Sequence, residues 1–163
     1  MRFSLPAAYP RVMDTSAGIL LYRRALTNEL EVFIGHMGGP FWSRKDEGAW
    51  SIPKGIFTDE SPLDAAKREF AEEIGAPAPE VGYTLLGEFR YSNKRLTVFT
   101  AEAEAMFVSS NSFEVEWPPR SGKLQRFPEI DRAEWFPMNV ARTKLVKGQI
   151  PLLDALSAAS VAS

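Results

Sequence analysis

A mixed α/β (α+β) fold, a mixed β-sheet covered by helices on two faces, follows from three features of the sequence. β-prone apolar segments occur in both halves of the chain, one strongly amphipathic helix lies between them, and neither an internal repeat nor a linker separates two cores. With 163 residues, 45% hydrophobic and 25% charged, the chain has the balance of one globular domain, which at this length buries roughly 70% of its unfolded surface. Residues 1–15 read as an N-terminal extension, 16–158 as the domain and 159–163 as a frayed tail.

In order along the chain, Ser16 to Arg23 (SAGILLYR) and Leu30 to Met37 (LEVFIGHM) are apolar strands joined by polar Ala25 to Glu29 as a hairpin. The stretch Gly38-Gly39-Pro40-Phe41-Trp42 is loop-like but rich in large rings; it leads through charged Ser43 to Gly48 into a short strand at Ala49 to Pro53. Pro53 to Glu60 reads as a tight loop in which Gly55 takes a conformation closed to other residues. Ser61 is a helix N-cap, Pro62 the first-turn residue and Asp64 the near-partner of a capping box. At about 100 degrees per residue, Leu63, Ala66, Phe70 and Ile74 form an apolar seam about 80 degrees wide. Gly75 closes the helix as a left-handed cap, with Pro77 just beyond. Thr84 to Tyr91 and Arg95 to Ala103 pair around Ser92-Asn93-Lys94, and Phe113 to Trp117 and Ala133 to Phe136 are shorter strands. Glu114 to Glu129 is too polar for the core and reads as a long loop. Helices at Met138 to Val146 and Pro151 to Ala158, broken at Gly148, end the chain.

Composition removes several chemistries. With 19 basic and 21 acidic residues and a net charge of -2, no whole-molecule field draws the protein to nucleic acid or an anionic membrane. The absence of Cys excludes disulfides, a thiolate nucleophile and thiolate-bound zinc. The single His36 lies in an apolar strand without a Gly-x-Ser-x-Gly elbow, and is expected to be structural. No segment has the length of a signal peptide's apolar run or of a membrane span, and the expectation is a cytoplasmic protein, monomer or homodimer.

The informative feature is on the central helix. Glu69, Glu72 and Glu73, spaced i, i+3 and i+4, share one patch, and like charges so placed weaken a helix by a few tenths of a kcal/mol per pair, roughly, unless a cation sits among them. Arg68 alone does not neutralise three. A hard divalent cation, Mg2+ or Mn2+, prefers such oxygen ligands and bridges to phosphates. The helix by itself is equally that of a solvated acidic face.

The residues before the helix add the decisive pattern. Gly55, Glu60 and the run Arg68-Glu69-Phe70-Ala71-Glu72-Glu73-Ile74-Gly75 resemble the Nudix box, with seven residues from Glu60 to Arg68 as in the family, and four rather than five from Gly55 to Glu60. The resemblance covers Ser16 to about Leu156, through Ser16-Ala17-Gly18, Trp50 to Gly55 and Glu129 to Phe136, and is to bacterial Nudix hydrolases described as nucleoside triphosphate pyrophosphohydrolases. It implies a Nudix-type α/β/α sandwich. It also implies Glu69, Glu72 and Glu73 as Mg2+ or Mn2+ ligands, Arg68 and Glu60 as an ion pair fixing the loop on the helix, and Glu69 or a carboxylate from another loop as base for the attacking water. The implied substrate is a nucleoside diphosphate linked to another group, a nucleoside triphosphate or a dinucleoside polyphosphate such as diadenosine tetraphosphate. Nucleotide sensors on this fold commonly lose box carboxylates that this chain keeps, and an isoprenoid diphosphate isomerase would be expected to employ a Cys that it lacks. The shorter loop marks Gly55 to Glu60 as the place where the chain should differ from its relatives.

Outside the box, Arg120, Lys123 and Arg126 in the polar segment read either as phosphate contacts or as ordinary surface charge, with Glu116 or Glu129 as an additional carboxylate. Phe41, Trp42, Trp50 and Trp117 are candidates for stacking a base, set against packing roles. Lys54 and Arg44 are candidate phosphate partners.

Overall fold

The computed structural model describes residues 14–162, and side chains through Ser160. The expected extension falls almost wholly outside the described residues, although Asp14 and Thr15 already belong to the first strand.

That strand, β1 (Asp14–Arg24), is the axis of the molecule. It runs antiparallel to β2 (Leu30–Met37) and parallel to β6 (Lys94–Glu102), the latter over nine register pairs from Asp14↔Lys94 to Tyr22↔Glu102. The sheet continues outward from β2 through β3 (Trp50–Ser51) and β9 (Ile130–Pro137), and from β6 to β5 (Thr84–Tyr91). One parallel pair among antiparallel ones makes the sheet mixed, as expected.

A central strand covered on both faces reads as a continuous apolar run rather than an alternating one, and residues 16–21 are all buried. Ala17, Ile19 and Leu21 face the helix α1 (Pro62–Ile74), packing with Phe33 against Ala65, Ala66, Phe70 and Ile74. Leu20 faces the other way, joining Val32, Ile34, Trp50, Leu96 and Val98 against Ala141 of α2 (Met138–Lys144) and Leu152, Leu153 and Leu156 of α3 (Ile150–Ala162). Two cores on one sheet make an α/β/α sandwich. A truncation in either, such as Phe70→Ala, costs about 3–5 kcal/mol.

Three expectations need correction, and a fourth, the break at Gly148, is met with a further reason. Lys54–Ile56 is not loop but a strand, β4, paired with β1 through Ser16↔Ile56, Ala17↔Gly55 and Gly18↔Lys54. The segment from Glu114 to Glu129 is mostly a hairpin, β7 (Ser112–Glu116) with β8 (Leu124–Pro128), in register over five pairs. Its alternation is hidden in the sequence because both faces are largely solvated; only Phe113, Val115 and Phe127 are half-buried. Gly148 lies in a short 3-10 turn, Lys147–Gln149, and its glycine is a packing requirement, since a Cβ there would stand 2.5 Å from the Tyr91 ring. The last helix runs on to Ala162, through the stretch expected to fray.

Candidate active site

The carboxylate helix is set by its two ends. Ser61 accepts the Asp64 N–H at 3.2 Å with Pro62 in the first turn, and Gly75 closes the helix at φ 85 while donating to the Ala71 carbonyl at 2.9 Å. With the seam of α1 facing β1, the adjacent face carrying Glu69 and Glu73 is turned under β4, where both are buried. Glu73 accepts the backbone N–H of Lys54 at 2.8 Å. Glu69 lies flat against Gly55, whose absent Cβ would fall 2.0 Å from the carboxyl carbon. Gly55 is therefore required for close approach and has no left-handed backbone, contrary to expectation.

Arg68 ties the loop to this face. Its Nε donates to Glu60 at 2.8 Å, and its Nη2 lies 2.7 Å from the same carboxylate. Its Nη1 is shared between Glu69 at 2.9 Å and Glu72 at 3.3 Å. Hydrogen bonding to Glu60 raises the guanidinium above its ordinary value. The loop shorter by one residue thus still delivers Glu60 to Arg68.

Three carboxyls bear the strain of this crowding. Burial pushes Glu73 up to about 8, against the Lys54 contacts that lower it. Burial also raises Glu69, assisted by Glu72 and opposed by the Arg68 hydrogen bond. Glu129, just beyond β8, is raised by the desolvation of its surroundings and then by the charges of Glu69 and Glu72. Glu129 therefore belongs to the same electrostatic cluster as the helix residues.

Beside the cluster opens a cavity of about 270 Å3. Its lining combines polar Ser51, Lys54, Glu73 and Glu129 with apolar Met37, Trp42, Phe113 and Ile130. Of the residues singled out in the sequence, Lys54, Gly55, Glu60, Arg68, Glu69, Glu72 and Glu73 come together, and Trp42 lines the cavity with Lys54 and Glu73. Arg44 is exposed on the loop that carries Trp42, outside the lining. Glu116, Arg120 and Lys123 sit at the outer end of the β7–β8 hairpin, where Glu116 accepts the Gly122 N–H at 2.8 Å and Arg120 has φ 62. None of these three lines the cavity. Trp50 is 1% exposed and donates from Nε1 to Asp46 at 2.9 Å, so it is core and unavailable for stacking. Phe113 and Met37 had no signal in the sequence, since their apolar character fits packing equally well.

The chain matches the family model described as NUDIX domain over residues 8–156. The chain belongs to the Nudix family. Its relatives include an RNA pyrophosphohydrolase of Rhizobium meliloti (strain 1021), 32% identical over 108 residues, a match spanning 55% of this chain and 59% of that protein. An uncharacterized 17.7 kDa protein of Enterobacteria phage T4 is 31% identical over 136 residues, covering 77% of this chain and 87% of the phage protein. Among solved structures, a C. elegans Ap4A hydrolase binary complex aligns with a TM-score of 0.58 at 19% identity, over 92% of this chain and 99% of that one. The Nudix domain of Shewanella oneidensis NrtR complexed with ADP ribose aligns with a TM-score of 0.61 at 16% identity, over 94% of each. These two likenesses establish the shared Nudix fold.

Among the described residues, no group of three carboxylate or imidazole side chains is gathered closely enough to hold a metal ion without rearrangement. The Arg68 guanidinium lies between Glu69 and Glu72. The donor set nonetheless fits a hard divalent cation: it consists of oxygens only, and its buried members are raised partly by one another's charge, which a cation would relieve. Among the described residues no helix is long and apolar enough to cross a membrane.

Proposed function

We propose that this protein is a divalent-metal-dependent pyrophosphohydrolase, cleaving a phosphoanhydride bond in a nucleoside diphosphate linked to another moiety. The substrates that fit are nucleoside triphosphates and dinucleoside polyphosphates such as diadenosine tetraphosphate. The observation that carries this reading is a cavity lined by Lys54, Glu73 and Glu129 together with Trp42 and Phe113, where Glu129 is coupled through charge to Glu69 and Glu72. A phosphate chain belongs with the polar residues and a nucleoside with Trp42 and Phe113.

Glu69, Glu72, Glu73 and Glu129 would hold Mg2+ or Mn2+, which when bound supplies charge neutralisation on the phosphates and an acidified water. Lys54 offers its ammonium to the phosphate chain while its backbone N–H fixes Glu73. Arg68 and Glu60 keep the loop on the helix, and Gly55 keeps Glu69 in place. Glu69 or Glu129, whichever is not engaged by the metal, would accept a proton from the attacking water. The names of the Rhizobium and C. elegans relatives, an RNA pyrophosphohydrolase and an Ap4A hydrolase, accord with this reaction class.

The test is a panel of nucleoside triphosphates, diadenosine tetraphosphate and 5′-triphosphorylated RNA, with Mg2+ or Mn2+, on the wild type, Glu72→Gln and Glu73→Gln. Turnover of at least one compound, lost in both variants, is expected. Unchanged turnover in both variants would remove the metal assignment. A wild type that binds nucleotides and cleaves none is instead a nucleotide-sensing domain.

A further inference from the structure

His36 does not line the cavity, yet its fully buried ring is bonded to the segments that carry the apolar lining residues Trp42 and Ile130. Its Nδ1 lies 2.8 Å from Oδ1 of Asp131, and its Nε2 lies 2.7 Å from the Lys45 carbonyl oxygen. A carboxylate oxygen of Asp131 and a backbone carbonyl of Lys45 thus hold the ring at both of its nitrogens. The ring packs edge-on against Trp50, with centroids 5.3 Å apart.

Each contact leads to the lining within a few residues. Met37 follows His36 directly, and Ile130 directly precedes Asp131. Lys45 donates its N–H to the Trp42 carbonyl at 2.9 Å, and its ammonium stands 3.5 Å from the Phe41 ring centroid and 5.4 Å from that of Trp42. Moreover, the β2–β9 ladder shifts register between His36 and Met37, so regular backbone pairing does not carry across this point. The imidazole spans the break, joining the end of β2 to the Trp42 loop on one side and to the start of β9 on the other.

We propose that His36 is a positioning residue that fixes Trp42 against the cavity and thereby sets the preference for a nucleoside-bearing polyphosphate over a bare phosphate chain. This rests on reading the cavity as a nucleotide site. The alternative is a buried histidine whose contacts merely complete the core, and two near-isosteric variants separate these roles. His36→Gln retains an N–H donor near the position of Nε2, toward Lys45, whereas His36→Asn retains one near Nδ1, toward Asp131.

The experiment measures hydrogen exchange of the Trp42 and Lys45 amides. It also measures binding, in Mg2+, of a non-hydrolysable adenosine triphosphate analogue and of inorganic tripolyphosphate. In His36→Asn we expect exchange at both amides to accelerate and the analogue's Kd to rise about tenfold, or about 1.4 kcal/mol, while tripolyphosphate binding is unchanged. His36→Gln should restore most of the analogue's affinity. Equal losses in both variants, a parallel loss of tripolyphosphate binding, or unchanged exchange would assign His36 to the core alone. A wild type that binds the analogue no better than tripolyphosphate overturns the proposal as well. A wild type that prefers the analogue but cleaves no compound of the panel defeats the hydrolase reading and leaves the role of His36 standing.

Discussion

Gly55 and Glu69 meet where a side chain on residue 55 would otherwise be: a Cβ there would stand 2.0 Å from the Glu69 carboxyl carbon and 2.2 Å from both of its oxygens. Because β4 is fixed by pairing with β1, the displacement in Gly55→Ala falls on the carboxylate. Urea unfolding should show a loss of about 1–3 kcal/mol, the range of overpacking, and hydrolysis should fall with it. Activity and stability both near wild type would show that Glu69 is free to occupy another place.

Stability without metal should fall as pH rises. The Glu73 carboxyl titrates at about 8 when folded, against an ordinary value of 4.5, so the native state binds the proton more tightly than the unfolded chain does. Its contribution is full below 4.5 and is lost as pH climbs to about 8. Glu69 and Glu129 are shifted in the same direction. In EDTA, the unfolding midpoint should therefore decline across this window, and Glu73→Gln should flatten the decline. Mg2+ at the upper end should raise the midpoint by binding the native state. A midpoint that climbs with pH in EDTA would contradict the assignment.

Arg68 divides its guanidinium between Glu60 and the pair Glu69 and Glu72, which lysine's single ammonium does not reproduce. The side chain is 37% exposed, so solvent screening holds the loss in Arg68→Lys to about 1 kcal/mol. The thermal midpoint should drop more without Mg2+ than with it, since a metal bound as proposed would take over neutralisation of Glu69 and Glu72. An identical drop under both conditions would separate Arg68 from the carboxylate cluster.

Glu129 and Glu116 stand near opposite ends of one hairpin. Glu129 feels the charges of Glu69 and Glu72, whereas Glu116 accepts a backbone N–H in the turn. Glu129→Gln is expected to lower kcat on the order of 10²-fold, the lower range for a lost general base. Glu116→Gln should retain the wild-type rate. The reverse ranking in steady-state assays would place the hairpin's outer end at the substrate.

What could be read before folding was what depends on near neighbours in the chain. The cap at Ser61, the apolar seam of α1 and the clustering of Glu69, Glu72 and Glu73 all follow from helical periodicity, and β2 and β5 from apolar runs bounded by turn residues. Contacts between distant segments were not legible in the same way. Gly55 was read as a turn glycine, but its need arises from a carboxylate fourteen positions later. Trp50 looked as able to stack a base as Trp42; which is buried depends on Trp50 packing into the core against Phe136 while Trp42 lines the cavity. Glu129 could not be preferred to Glu116 without knowing that the segment between them folds back as β8.

Among the described residues, β7 and β8 pair only with each other, and the roots of that hairpin carry Phe113 and Glu129 into the cavity while its turn points to solvent. Insertions or exchanges in the turn would leave both cores and the box untouched, because loop lengthening adds only a slowly growing entropic term. Evolution is thereby offered a module for altering what is recognised, grafted beside a reaction centre that need not change.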